Sequence, residues 1–183
     1  MTGGADAGGP PRAALIAALV LAVATIGAIL VLAATRQTGQ QAVTLPALPA
    51  PHAASPACKS LIEALPEQLG SFRRTEITQP APDGASAWRS VNNAEPVVMR
   101  CGLDRPGDFV VGSPIQVVDK VQWFRAADQG STDAGTTTWY TVDRPVYVAL
   151  TLPTGSGPVP IQDLSGIIDR TIAAVPIDPA PAR

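Results

Sequence analysis

The chain has 183 residues, of which only 15% are charged, with 13 basic and 15 acidic side chains and a formal net charge of −2. Its one basic doublet is Arg73–Arg74, so no run of cations exists to follow a phosphate backbone, which argues against nucleic-acid binding. A single histidine, His52, and two cysteines, Cys58 and Cys101, leave little material for a metal site or a histidine-based triad.

Residues 1–12 form a Gly/Ala/Pro tail. Residues 13–35 then carry no charge and are bounded by Arg12 and Arg36. As a helix this stretch covers about 34 Å, enough to cross a hydrocarbon core of about 30 Å. It exceeds the apolar core of about 7–15 residues found in cleaved signal peptides. The expectation is an uncleaved signal anchor held in the membrane bilayer through residues 13–35. The flanking arginines nearly balance, so the positive-inside rule leans only weakly to a cytoplasmic N-terminus. The two later cysteines suit an oxidising compartment and place the remainder of the chain outside the membrane. Ala14, Ala18 and Ala22 recur at four-residue spacing, a pattern through which a second helix could approach.

Residues 36–55 read as a Pro/Ala-rich linker. Pro46, Pro49 and Pro51 favour polyproline II at about 3.1 Å per residue, a reach of about 50 Å. His52 falls in this segment, and its placement removes the usual general base from the domain that follows.

One domain is expected over residues 56–176. Ser55 is a suitable N-cap with Pro56 at the first helical position. Cys58, Leu61, Ile62, Leu65 and Leu69 lie on one stripe of a helix that Pro66 kinks or restarts and Gly70 ends. A strand over 72–77 and a loop over 79–87 lead to Trp88. In a strand over 96–102, alternation puts Val97, Met99 and Cys101 on one face and Val98 and Arg100 on the other. The core-facing Cys58 and Cys101 can meet, and a bond between them closes a loop of about 44 residues. The rival reading, a reactive or metal-binding pair, lacks Cys-x-x-Cys spacing and a histidine partner.

Past a loop over 104–108, residues 109–111 and 115–118 read as strand, and Asp119-Lys120 turns the chain into a strand over 121–125. Residues 128–135 form a turn-rich loop. Residues 136–142 and 145–152 pair as a second hairpin near Asp143-Arg144, with Val146, Val148, Leu150 and Leu152 on one face. A helix over 160–175 buries Ile161, Leu164, Ile168, Ile172 and Val175, with Ile167 at its edge, and residues 177–183 are expected as a disordered tail. The fold class is α+β: an antiparallel sheet of about five or six strands packed against the N-terminal and C-terminal helices.

A helix written Cys-x-x-Leu-x-x-x-Leu-Pro-x-x-Leu from Cys58, the Arg73-Arg74 doublet, Arg100-Cys101-Gly102, the Val118 to Trp123 hairpin and Arg144-Pro145-Val146-Tyr147-Val148 follow the apolar span in that order. In these features the chain resembles a group of small actinobacterial, single-pass membrane-anchored proteins with an extracytoplasmic domain of unknown function. The resemblance covers about residues 58–175. It implies an envelope location and matches the two cysteines to the family's pair, and it supplies no reaction and no catalytic residue.

The sequence shows no G-x-S-x-G elbow and no phosphate-binding glycine pattern. The carboxylate pairs Asp104/Asp108 and Asp128/Asp133 lie in loops, where solvated turn residues are the default reading; a pair of them acting on a glycan is the enzymatic alternative, and a calcium loop over Asp128 to Asp133 lacks the EF-hand spacing. Trp88, Trp123 and Trp139 fall in or beside β-rich runs. They read either as core or, with Arg100 and Arg125, as a ligand or partner surface. The expected function is a non-enzymatic, membrane-anchored envelope protein that binds an envelope protein or glycan, without cofactor or metal. The alternatives are a structural subunit of a membrane complex and a cell-wall glycan-acting enzyme.

Overall fold

The computed structural model describes residues 12–37, 42–90, 93–127 and 135–182. Two units result, one built on the N-terminal helix and one on all that follows residue 40. Helix α1 spans Arg12–Gln37, slightly longer than the uncharged stretch that predicts it. Its segment Arg12–Leu32 has a mean hydropathy of 2.9 and no buried residue, so the helix is long and apolar enough to cross a membrane. Thr25 returns its hydroxyl to the Ala22 carbonyl at 2.9 Å, which satisfies the one polar side chain within that segment's apolar run. Ala14, Ala18 and Ala22 all lie in α1.

The second unit opens with α2, Pro56–Ala64. The Ser55 hydroxyl accepts from the Cys58 amide at 3.3 Å, which caps the orphan donors of the first turn. Leu65 is already extended, with ψ 136°, because the ring of Pro66 disfavours a helical residue before it. The helix therefore stops there rather than kinking. Leu69 is still fully buried, but from a strand.

Eight strands follow: β1 Gln68–Leu69, β2 Phe72–Thr75, β3 Ala85–Ser90, β4 Asn93–Leu103, β5 Ile115–Val118, β6 Val121–Arg125, β7 Thr136–Thr141 and β8 Tyr147–Pro153, before helix α3 at Val159–Thr171. They form one antiparallel sheet in the order β1-β2-β3-β4-β8-β7-β6-β5. The sequence-based expectation of five or six strands falls short because β1 is only two residues long and β3 begins inside the stretch expected as loop. Residues 109–111, expected as strand, contribute a single bridge from Val110 to Ala180. Asp119 takes a positive φ of 51° in the β5–β6 turn, a conformation that aspartate tolerates better than most residues.

Both helices pack on one face of the sheet. There Leu61, Trp88, Met99, Trp123, Leu150 and Ile168 belong to one core cluster. The disulfide Cys58–Cys101 joins α2 to β4 inside that core, with both residues fully buried. A smaller cluster of Phe109, Phe124 and Val142 lies apart from it, with the two phenyl rings 5.2 Å between centroids.

Two segments depart from expectation. Residues 42–55, expected as a free spacer, are a strap held on the domain. The Val43 amide donates to the Glu76 carbonyl at 2.8 Å, the Thr78 amide to the Val43 carbonyl at 2.9 Å, and the His52 amide to the Gly102 carbonyl at 3.0 Å. Val43 and Ala53 are buried. The prolines keep the strap extended, but its unpaired amides and apolar side chains find partners on the domain, so the unit begins well before residue 56. The end of the chain is likewise tied down: the Val111 amide donates to the Ala180 carbonyl at 2.8 Å, and Arg105 bonds Asp178. Helix α3 ends at Thr171, four residues short of the expected Val175, whose amide instead donates to the Asp143 carbonyl.

Candidate functional site

The five residues that the sequence marks as a binding surface separate into three places. Trp88 and Trp123 are fully buried and form no surface. The Trp88 indole donates to the Pro66 carbonyl at 3.0 Å, with the Arg74 guanidinium 5.7 Å from its ring centre. The Trp123 indole donates to the Ser165 hydroxyl at 2.9 Å, which passes its own proton to the Ile161 carbonyl at 2.7 Å. Each ring thus buries its apolar body while its single donor is satisfied, and their role is core.

Trp139 and Arg125 are brought together. They are directly opposed across β7 and β6, which puts both side chains on the helix-bearing face. Beyond the N-terminal end of α3 that face is open, and the two side chains line a groove of about 460 Å³ with Gln116, Val118, Thr137 and Gln162. The loop from Pro153 to Pro158 forms its rim. Trp139 is half-buried and Arg125 exposed. Among the described residues no carboxylate lines this groove, and none forms an ion pair with Arg125. The result is an indole beside a guanidinium with no carboxylate partner among the described residues, two amides and three hydroxyls, which suits a ligand that is apolar on one side and hydrogen-bonding on another.

Arg100 points the other way. Its cross-strand partners are Ala85 on β3 and Ala149 on β8. The guanidinium is buried under the strap and donates from Nη2 to the Pro46 carbonyl at 2.9 Å. Burial, the larger cause, pushes its pKa down, while Tyr140 acts in the opposite sense. Arg89 lines the same cavity, of about 550 Å³. Alternation already assigns Arg100 to the face away from the core; Arg89 carries the same signal through its position two residues beyond Ala87, yet the strap that roofs both leaves no trace in the spacing.

His52 is exposed. Asp108 accepts from the Ala127 amide at 2.8 Å, which makes it a loop anchor. Asp104 is exposed and lines none of the three cavities described for this fold, whereas Asp108 lines one alone. Asp128 and Asp133 lie outside the described residues. Among the described residues, no three His, Cys, Asp or Glu side chains gather as metal ligands.

The family model described as "Protein of unknown function (DUF3515)" matches residues 19–177. The chain belongs to this family. The match spans most of α1, the strap, every strand and α3, so the DUF3515 region includes the apolar helix as well as the sheet. Comparison with curated proteins and with solved structures finds no match.

Proposed function

We propose that this DUF3515 protein is a non-enzymatic envelope protein, anchored by α1 with its N-terminus cytoplasmic, whose extracytoplasmic domain binds a partner or ligand in the Trp139–Arg125 groove. The observation that carries the reading is that groove: an indole, a guanidinium free of described carboxylates, and neutral hydrogen-bonding side chains converge with no carboxylate, histidine or cysteine beside them among the described residues. Such a lining favours binding over bond cleavage, because a glycan-acting pair of carboxylates needs two of them about 5–10 Å apart across one cleft. The apolar helix and the buried disulfide support a tethered domain in an oxidising compartment. A sugar ring or an extended peptide would stack on Trp139 and take hydrogen bonds from Arg125, Gln116 and Gln162.

Tryptophan fluorescence of the full chain tests this. Trp88 and Trp123 are sealed in the core, so a ligand in the groove alters only Trp139. Titration with soluble cell-wall glycan fragments and with envelope peptides should give saturable quenching that Arg125→Ala weakens and Trp139→Phe abolishes. Absence of saturable quenching by both classes, or quenching unchanged in Trp139→Phe, refutes the groove. Co-purification in mild detergent with fixed stoichiometry, undisturbed by either variant, would favour a structural subunit instead.

A further inference from the structure

The opposite face of the sheet holds a second feature, independent of that groove. Arg100 is 8% exposed, yet its guanidinium meets a neutral carbonyl, that of Pro46, and no carboxylate forms an ion pair with it among the described residues. Arg89 lines the same cavity, also without an ion pair, and its buried Nε has no acceptor. The fold treats its other deeply buried arginine differently. Arg144 is as fully enclosed but lies 2.9 Å from the Asp143 carboxylate. Buried cations are ordinarily paired, because desolvation of an unpaired one is costly. Arg100 is the exception, and it borders an open volume of about 550 Å³.

We propose that the cavity beneath the strap is a binding site for a small organic carboxylate, whose oxygens accept from Arg100 and Arg89. The charge count selects a monoanion: two guanidinium groups and the Glu95 carboxylate line the cavity, a net of +1 that one carboxylate balances. A guanidinium fork matches carboxylate geometry. The Thr138 and Thr151 hydroxyls lie 2.9 Å apart. One donates to the other, which leaves the second free to donate to a ligand oxygen. The cavity is larger than a bare ion requires. Val98 on its floor and Leu45 and Leu48 on its roof receive an apolar body, so the ligand is an organic acid. The Pro46 carbonyl holds the place at Arg100 that the carboxylate shares or takes.

Benzoate, benzyl alcohol and phenyl phosphate, titrated against the full chain in non-ionic detergent near pH 7, test the site through the thermal midpoint. Tyrosinate absorbance provides a second readout, because the chain has two tyrosines and Arg100 acts electrostatically on Tyr140. Benzoate should raise the midpoint saturably, benzyl alcohol should not, and phenyl phosphate, a dianion, should bind more weakly than benzoate. Bound benzoate should move the Tyr140 step upward and leave the Tyr147 step in place. Arg100→Gln keeps a donor for Pro46 and should weaken benzoate at least tenfold. Arg89→Gln, at a half-buried position that tolerates the change even if the first variant fails to fold, should weaken it several-fold. No saturable effect of benzoate, an equal effect of benzyl alcohol, tighter binding of phenyl phosphate, or benzoate affinity unchanged in Arg89→Gln overturns the assignment.

Discussion

Removing the Cys58–Cys101 disulfide should be among the most damaging changes that leave the surface untouched. The bond spans a sequence separation of 43 residues and joins two fully buried side chains. In the chain-entropy treatment, a closed loop of about 44 residues restricts the unfolded chain by about 13 cal/mol/K, or about 4 kcal/mol at 25 °C. Natural domains retain only about 5–15 kcal/mol in total, so the double variant Cys58→Ala/Cys101→Ala should keep its fold with a much reduced margin. At about 3–4 °C per kcal/mol for a domain of this size, the midpoint should fall by about 12–16 °C. Urea unfolding of the full chain, followed by tryptophan fluorescence, measures the free energy directly. The slope with denaturant should also rise, because the unfolded chain is released from its cross-link and exposes more surface. A loss below about 1 kcal/mol with an unchanged slope would refute the reasoning, since it would mean that α2 and β4 stay together in the unfolded state without the bond.

Three further outcomes follow from packing and charge. Arg144→Met should cost about 3–5 kcal/mol because it strands the buried Asp143 carboxylate, whereas Asp143→Asn/Arg144→Met should recover much of that loss; a double-mutant cycle in urea reads both. Gly102→Ala should cost at least about 2 kcal/mol, as φ is +89° and an added Cβ would collide with the Ala53 amide nitrogen and the His52 carbonyl carbon. Gly112→Ala, at φ +91° with nothing within 4 Å, should cost only the conformational strain of about 1–2 kcal/mol, and thermal melts compare the two. Absorbance titration should show Tyr140 and Tyr147 ionising above the ordinary value near 10, chiefly because burial disfavours the phenolate. The folded state then binds these protons more tightly than the unfolded one. Their contribution is therefore complete below about pH 10 and is lost as pH rises through the raised values, which unfolding midpoints measured from pH 9 upward will check.

The sequence discloses what local chemistry decides. Ser55-Pro56 marks the start of α2, the apolar stripe orients Cys58 inward, and alternation around Cys101 does the same on β4, so the disulfide is readable before any coordinates. Long-range docking is not readable in the same way. Proline spacing says that residues 42–55 are extended, but whether an extended segment floats or lies on a sheet depends on acceptors such as Glu76, far along the chain. The same holds for Val110 and Ala180. For the candidate site, tryptophan in a β-rich run carries no signal that separates Trp123 from Trp139. What separates them is helix α3, which covers one ring and stops short of the other. The pairing of Arg125 with Trp139 needs the register of β6 against β7, and that register passes through a connection that local pattern does not determine.

The strand order carries a consequence for how the chain must be made. Strands β1 to β4 form one meander and β5 to β8 another, and the two meet only where β4 pairs with β8, across matches such as Val98 with Thr151. Each meander can assemble from neighbours in sequence, but the middle of the sheet cannot close until β8, which ends at Pro153, is available. Until then β4, the longest strand, offers an open edge carrying Met99 and Cys101. A nascent or truncated chain that stops before Tyr147 is therefore a template for mispairing between copies, and the presence of the last strand is a condition for solubility as much as for the fold.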